Sequence, residues 1–292
     1  MRPVLRPGTH VLQRPHDRLQ VGLDPATSLV LPATPAVRDG LRRLATSADL
    51  AEHADPSTLE ALAAHDALLD ADDLVPLLAC ADVEASTLAS LAREAGAGLG
   101  RAHTARRRAR TRTHTFGHPS STELAATFTR LTRSAGIREA APRHTTAPDC
   151  EVLLGIGEPE RERVDAWTRA GTPYLLVRLV EGRAVVGPFV APGATACLRC
   201  TDAHATDADP AWPLLLRQYA AASSRDRADG VPEPVDPLLA TVAVAWAARD
   251  LATYVDGGRP STWSATVTLH PALTRIETHA WLRHPGCGCS WS

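Results

Sequence analysis

Two short-spaced cysteine pairs are the residues of this sequence best suited to chemistry: Cys197 and Cys200 frame Leu198-Arg199, and Cys287 and Cys289 flank Gly288. Thiolates are soft, strong donors, and two tight pairs from distant parts of a chain can surround one tetrahedral ion with little strain. Gly288 lets the backbone turn tightly enough for both neighbouring sulfurs to face that ion. The pattern predicts a structural zinc site closed by four cysteines, with no open position for a substrate. A redox C-x-x-C plus a chance second pair is the competing reading. It fits less well, because the first pair does not read as the start of a helix after a strand and the second pair is left unexplained. His204 and His284 lie near these pairs in sequence but are not needed as ligands. Cys80 falls in an apolar helical stretch and reads as core.

Other polar residues suggest less. His114 and His118 have i, i+4 spacing, but Gly117 and Pro119 interrupt any helix that would place both on one face. Trp212, between Pro210 and Pro213, reads as a packing anchor. No Ser-His-Asp set or carboxylate pair can be assembled from sequence alone. All 31 basic side chains are arginine, so no mechanism here can use a lysine of this chain.

The formal net charge is -2, which gives no general pull toward nucleic acid or an anionic membrane. Arginines at the start, Met1 to Pro7, run into polar, Pro-rich sequence and do not read as a signal peptide, and no run approaches the roughly 20 apolar residues that cross a bilayer. A cytoplasmic protein is expected, and in a reducing compartment six cysteines are not expected to form a disulfide framework.

The elements that must position these residues fall into two rhythms. Thr9 to Gln13, Arg18 to Leu23 and Ser28 to Leu31 read as three short antiparallel strands separated by turn formers. Helical spacing follows in Val37, Leu41 and Leu44, then in Leu59, Leu62 and Ala63, where Ser57 and Glu60 have the spacing of a capping box. Three strands followed by about three helices suggest a winged-helix module over residues 1–70. Residues 71–112 read as a helical connector ending in an Arg-rich solvated linker, Arg101 to Arg112. From 113 to 292 helix and strand alternate: helix Ser121 to Ala135, strand Val152 to Ile156, helix Glu158 to Ala170, strand Tyr174 to Val180, helix Pro237 to Tyr254, and a late hairpin of Ser264 to His270 with Ile276 to Leu282. That rhythm predicts an α/β domain built on a doubly wound parallel sheet.

Three segments carry a family resemblance: Val186-Gly187-Pro188-Phe189-Val190-Ala191-Pro192-Gly193 running into Cys197-x-x-Cys200, Asp209-Pro210-Ala211-Trp212-Pro213, and His284-Pro285-Gly286-Cys287-Gly288-Cys289. They resemble the E1-like (ThiF-like) proteins of azole-modified peptide biosynthesis, the leader-peptide-binding partners of YcaO-type cyclodehydratases. The resemblance covers most of the chain and is strongest from Val186 to Ser292. It implies a winged-helix peptide-recognition element followed by an E1-like, Rossmann-type domain with a four-cysteine zinc site. In the family a leader peptide lies between the third strand and the third helix. Here those are Ser28, Leu29, Val30 and Leu31, with Leu59, Leu62, Ala63 and Asp66. An extended peptide would add to the strand edge by main-chain pairing, while side-chain pockets choose its sequence.

The sequence departs from the adenylating members of this family. Where they carry a glycine-rich phosphate turn, this chain has His114-Thr115-Phe116-Gly117-His118-Pro119-Ser120-Ser121, with one glycine and a proline that removes a backbone donor. The G-x-G that follows a predicted strand, Gly155-Ile156-Gly157, runs into Glu158-Pro159-Glu160, whose carboxylates would repel phosphate. No lysine is present. ATP binding is therefore not expected. The expected role is a partner without catalysis of its own: it binds the leader of a ribosomally made precursor and delivers the core to a YcaO-type ATP-dependent cyclodehydratase. The captured leader could also serve a dehydratase, and a homodimer is among the partners the resemblance allows. The alternatives are an active E1-like adenylating enzyme, tested by pyrophosphate exchange, and a winged-helix DNA-binding regulator. The latter is disfavoured because Ser57 to Asp70 contains acids and no arginine.

Overall fold

A computed structural model describes residues 2–46, 55–79, 83–140, 147–223, 225, 228–231 and 233–289, and divides into two compact units, Met1–Thr104 and Ala105–Ser292. Cys80 lies outside the described residues.

The first unit contains β1 (Pro3–Leu5), β2 (Val11–Arg14), β3 (Arg18–Val21), β4 (Leu29–Pro32), α1 (Pro35–Thr46), α2 (Pro56–Ala64), β5 (Leu68–Asp70), α3 (Ala71–Leu78) and α4 (Ala85–Ala95). The expected meander is present as an antiparallel sheet ordered β2-β3-β4, and β1 pairs with β5 in a separate ribbon. Strands of three residues are too short to show alternation, which is why β1 and β5 leave no periodic signal. On one face of the meander Leu19, Val21, Leu29 and Leu31 meet Val37, Leu41, Leu44 and Leu62 from the helices in a single apolar core.

Two expectations for this region change. The capping box at Ser57 and Glu60 does not form, because α2 starts earlier. Asp55 is its N-cap, the Asp55 carboxylate accepts from the Thr58 N–H at 3.1 Å, and Pro56 takes the first helical position. The Ser57 hydroxyl, followed by the Thr58 N–H, holds the Asp55 carboxyl below its ordinary pKa.

The Arg-rich run is not a solvated linker. Helix α5 (Leu99–Arg108) and strand β6 (Arg110–Gly117) divide it. Arg106 is buried, with its guanidinium on both oxygens of Asp256 at 2.8 and 2.6 Å and on the Ala135 carbonyl at 3.2 Å. A planar fork that matches a carboxylate can be buried where an isolated charge cannot.

The second unit continues with α6 (Ser121–Ser134), β7 (Arg138–Glu139), β8 (Cys150–Ile156), α7 (Arg161–Arg169), β9 (Tyr174–Val180), β10 (Arg183–Val190), α8 (Leu198–Ala208), α9 (Trp212–Ser223), α10 (Pro237–Val255), β11 (Ala265–Leu269) and β12 (Ile276–Ala280). One mixed sheet runs β12-β11-β10-β9-β8-β6-β7, parallel from β9 to β7 and antiparallel from β9 to β12. Alternation along β8 sends Val152, Leu154 and Ile156 to one face, against Leu124 and Phe128 of α6 and the apolar side of α10. Leu153 goes to the other face, with Val164 of α7 and Leu198 of α8. The architecture is therefore three-layered, helix on sheet on helix.

By length and composition α10 could cross a membrane, yet nine of its residues are buried in the unit. One of them is Asp250, whose carboxylate accepts from the N–H and hydroxyl groups of both Ser261 and Thr262. That is the pattern of a core helix.

Candidate metal centre, strand-end crevice and open strand edge

The two cysteine pairs meet. Cys197 is the N-cap of α8, which corrects the expectation that this pair does not open a helix. The loop after β10 delivers it, and the turn at Gly288, with φ +80°, brings Cys287 and Cys289 opposite. The sulfurs lie 3.8 Å apart for Cys197–Cys200, 3.5 Å for Cys197–Cys287 and 3.3 Å for Cys200–Cys289. Tetrahedral zinc with bonds of about 2.3 Å separates its sulfurs by about 3.8 Å, so the cluster fits one ion with small adjustments. All four sulfurs lie within 4.8 Å of one another. A two-cysteine redox site needs no such convergence. The Cys200 thiol is pushed down to about 4, chiefly because Cys197 donates to its sulfur and then because the His284 N–H does. A thiolate is the form that ligates metal.

His204, Asp207 and His284 cluster nearby. His284 Nδ1 accepts from the Gly286 N–H at 3.0 Å, which leaves the ring proton on Nε2, directed at Asp207 2.9 Å away. His204 Nε2 lies 3.0 Å from the Leu282 carbonyl. These bonds tie the segment carrying Cys287 onto α8 and leave the rings out of the cysteine centre. Tyr174, fully buried, accepts from the Leu198 N–H at 3.2 Å and so fixes the start of α8 against β9.

The second region is the crevice at the strand ends. From β6 the chain crosses to β7 on one side, and from β8 it crosses to β9 on the other, so the sheet reverses between β6 and β8. Ligands of open α/β sheets bind outside the carboxyl ends of strands at such a point. Here its two glycines are closely packed by protein. A Cβ on Gly117 would overlap the Ile156 carbonyl, and one on Gly157 would lie 2.6 Å from Ser223 Cβ. Ser121, buried, donates to the Phe116 carbonyl at 2.8 Å and accepts from the Ile156 N–H at 3.2 Å, bridging the two strand ends. The glycines thus serve close packing. No sequence motif marks Ser121 or Ser223.

At the same strand ends a cavity of about 690 Å³ is lined by Thr115, Gly117, Glu158, Arg163, Arg217 and Arg225 among others. Glu158, expected to repel phosphate, is held between Arg161 at 3.0 Å and Arg178 at 2.8 Å, and Arg161 also binds Asp202 at 2.7 Å. Its charge is offset, so the repulsion argument rests on Glu160 alone. His114 stays in β6, 2.8 Å from the buried Glu151, and His118 bonds Ser120, so the two do not converge. Trp212 opens α9 and donates to Asp202 at 3.4 Å.

The third region is the free edge of the meander. Ala33 donates to the Asp17 carbonyl at 2.8 Å, just beyond the Arg18–Pro32 pair. Antiparallel alternation then makes Leu19–Leu31 and Val21–Leu29 the hydrogen-bonded pairs, so the N–H and C=O of Val30 point away from β3. Among the described residues no strand pairs with that edge. The sequence candidates sort accordingly. Leu31 and Leu62 are buried in the core, and Leu29 and Leu59 are half-buried against it. Ser28 and Val30 are half-buried, while Ala63 and Asp66 are exposed. Asp66 pairs with Arg6 at 2.6 Å.

No family model matches the sequence, and no curated protein does either. The fold does have solved counterparts. A heterocyclase in complex with substrate and cofactor superposes at TM-score 0.71 with 17% identity, covering 99% of this chain and 39% of that one. The heterocyclase TruD gives 0.71, 16%, 99% and 42%. E. coli MccB with ATP gives 0.64, 12%, 99% and 100%. The chain thus spans about two fifths of the heterocyclase chains and the full length of MccB, and it shares their fold.

Proposed function

We propose that this chain is a substrate-recruiting partner without catalysis of its own: it binds the leader peptide of a ribosomally made precursor and presents the core to a separate YcaO-type cyclodehydratase. That enzyme would use ATP to convert Cys, Ser or Thr to azolines. Residues 1–70 act as the winged-helix recognition element and 113–292 as an E1-like scaffold whose shape is held by zinc on Cys197, Cys200, Cys287 and Cys289. The leader adds along the outer edge of β4. Val30 supplies main-chain pairing, Ser28 flanks it, and Leu59, Ala63 and Asp66 of the α2 side meet the leader's side chains, with Leu29, Leu31 and Leu62 supporting that surface from the core. Delivery works by effective concentration, since a tethered core reaches the partner's site intramolecularly.

The observation that carries this reading is what the strand-end glycines do: the fold shared with a protein solved with ATP is kept, while Gly117 packs on the Ile156 carbonyl, Gly157 packs on Ser223 and Ser121 bridges the two strand ends. Reconstitution tests it. The partner enzyme should modify the full precursor only with this chain present, and a leaderless core poorly in either case. Equal processing without the chain would defeat the proposal.

A second reading, an active adenylating enzyme, is favoured by the cavity of about 690 Å³ beside Gly117. It requires ATP–pyrophosphate exchange by the isolated protein with precursor. The absence of exchange removes it.

A further inference from the structure

β2 forms the edge of the meander opposite β4, and among the described residues no strand pairs with it. The ladder fixes which of its backbone groups are open. Gly22 donates to the His10 carbonyl at 2.9 Å, and the register runs from Val11↔Val21 to Arg14↔Arg18. His10, Leu12 and Arg14 are therefore the hydrogen-bonded positions, and the N–H and C=O groups of Val11 and Gln13 point away from β3. No proline or bulge interrupts the strand.

Beside this edge lies a groove of about 490 Å³. One wall is a single stripe of α1, Arg38, Leu41, Arg42 and Ala45, which recur at i, i+3, i+4 and i+7. Val11 and Leu19 form the other. Strand alternation turns Val11 and Gln13 to the face of Leu19 and Val21, the face that α1 covers. The groove thus lies where one more strand beyond β2 would put its inward side chains. Its charge has one sign: no lining residue is acidic, and α1 carries three arginines against the single carboxylate of Asp39, which accepts from both Arg42 and Arg43. Arg38 donates to neutral acceptors, the Ala33 carbonyl at 3.0 Å and Gln13 Oε1 at 2.8 Å. The carboxylate near it, Asp17, is 3.9 Å away and 96% exposed, a contact worth little in water.

We infer that the β2 edge and its groove dock an extended, acidic segment of the partner cyclodehydratase, which adds as a fourth strand of the meander. The inference rests on the recruiting role proposed above and supplies the surface by which the enzyme is held. Val11 and Gln13 pair with the segment's main chain. An inward apolar side chain of the segment rests on Leu19, Leu41 and Ala45, and the carboxylates beside it meet Arg38 and Arg42. A strand on this edge and a leader on the β4 edge lie on opposite sides of one three-stranded sheet, four strand spacings or about 19 Å apart, so both fit at once. The enzyme can then stay docked while leaders exchange, which is what delivery at high effective concentration needs.

Biolayer interferometry of the full chain on the immobilised YcaO-type enzyme encoded beside its gene tests this, with leader binding by the same proteins read as fluorescence anisotropy. The wild type should bind the enzyme, and more weakly at about 500 mM salt than at about 50 mM. Ala45 is an exposed helical position at the groove. Ala45→Glu sets a carboxylate against the incoming segment and should weaken enzyme binding about tenfold, whereas Ala45→Arg, similar in bulk and opposite in charge, should leave it within about twofold. Both should keep the wild-type circular dichroism and leader affinity. Val11→Pro deletes an outward N–H and no ladder bond, and should also cost about tenfold in enzyme binding. Enzyme binding that Ala45→Glu leaves intact overturns the inference, as does an equal loss with Ala45→Arg. Loss of leader binding by Ala45→Glu would assign the groove to the leader and overturn it too. If Val11→Pro does not fold, the two Ala45 variants decide. A wild type that binds leader but no enzyme overturns this inference and leaves leader capture standing; one that binds neither overturns both.

Discussion

Replacing Gly157 by alanine probes whether this glycine serves packing or phosphate. Its φ is +95°, a conformation that costs an L residue roughly 1–2 kcal/mol. The added methyl group would also lie 2.6 Å from Ser223 Cβ, inside contact distance, and overpacking of this kind costs roughly 1–3 kcal/mol. Gly157→Ala should therefore destabilise the protein by about 3 kcal/mol, a fall of roughly 10 °C in Tm for a unit of this size. Ser223→Gly removes the atoms that collide and, at the end of α9, costs no more than about 1 kcal/mol by itself. The two substitutions together should then show a favourable coupling of about 1–2 kcal/mol, leaving only the backbone term. Chemical denaturation of the four proteins measures this, with ATP titrated into each. A neutral Gly157→Ala, a coupling near zero, or stabilisation of the wild type by ATP would refute the view that Gly157 serves packing against Ser223 and not phosphate.

The other predictions concern the metal centre and the buried arginine. Purified protein should contain one zinc per chain by elemental analysis, and chelation or Cys200→Ser should lower Tm and weaken partner docking; unchanged Tm on metal removal would count against a structural ion. Arg106→Met leaves the Asp256 carboxylate without its fork and should cost about 3 kcal/mol in urea unfolding, whereas a solvated arginine would cost almost nothing.

Much of the second unit is legible in the sequence because single elements carry strong patterns. Tyr174–Val180 is an apolar run broken only by Arg178, and α10 is long and capped by Asp236-Pro237. The cysteine pairs are legible because spacing alone constrains coordination. What hides is whatever depends on a distant partner. Arg106 looks solvated until Asp256 meets it, and β6 looks too polar for a sheet until Glu151 meets His114 and, at 3.4 Å, Arg112. α8 has few apolar residues, and its place is set by the cysteine cluster and by Tyr174. Ser121 and Ser223 are ordinary serines whose importance exists only in three dimensions.

The claim that this chain recruits a leader peptide is tested most directly by fluorescence anisotropy with labelled leader peptides encoded beside its gene, with no partner enzyme and no nucleotide present. Binding at micromolar concentration or tighter is predicted. Val30→Pro, which deletes the outward N–H of β4 and spares the ladder to β3, should weaken it about tenfold, the worth of one hydrogen bond of about 1.4 kcal/mol. If no leader binds at micromolar concentration, or if Val30→Pro and deletion of residues 1–70 both leave binding unchanged, the account is wrong.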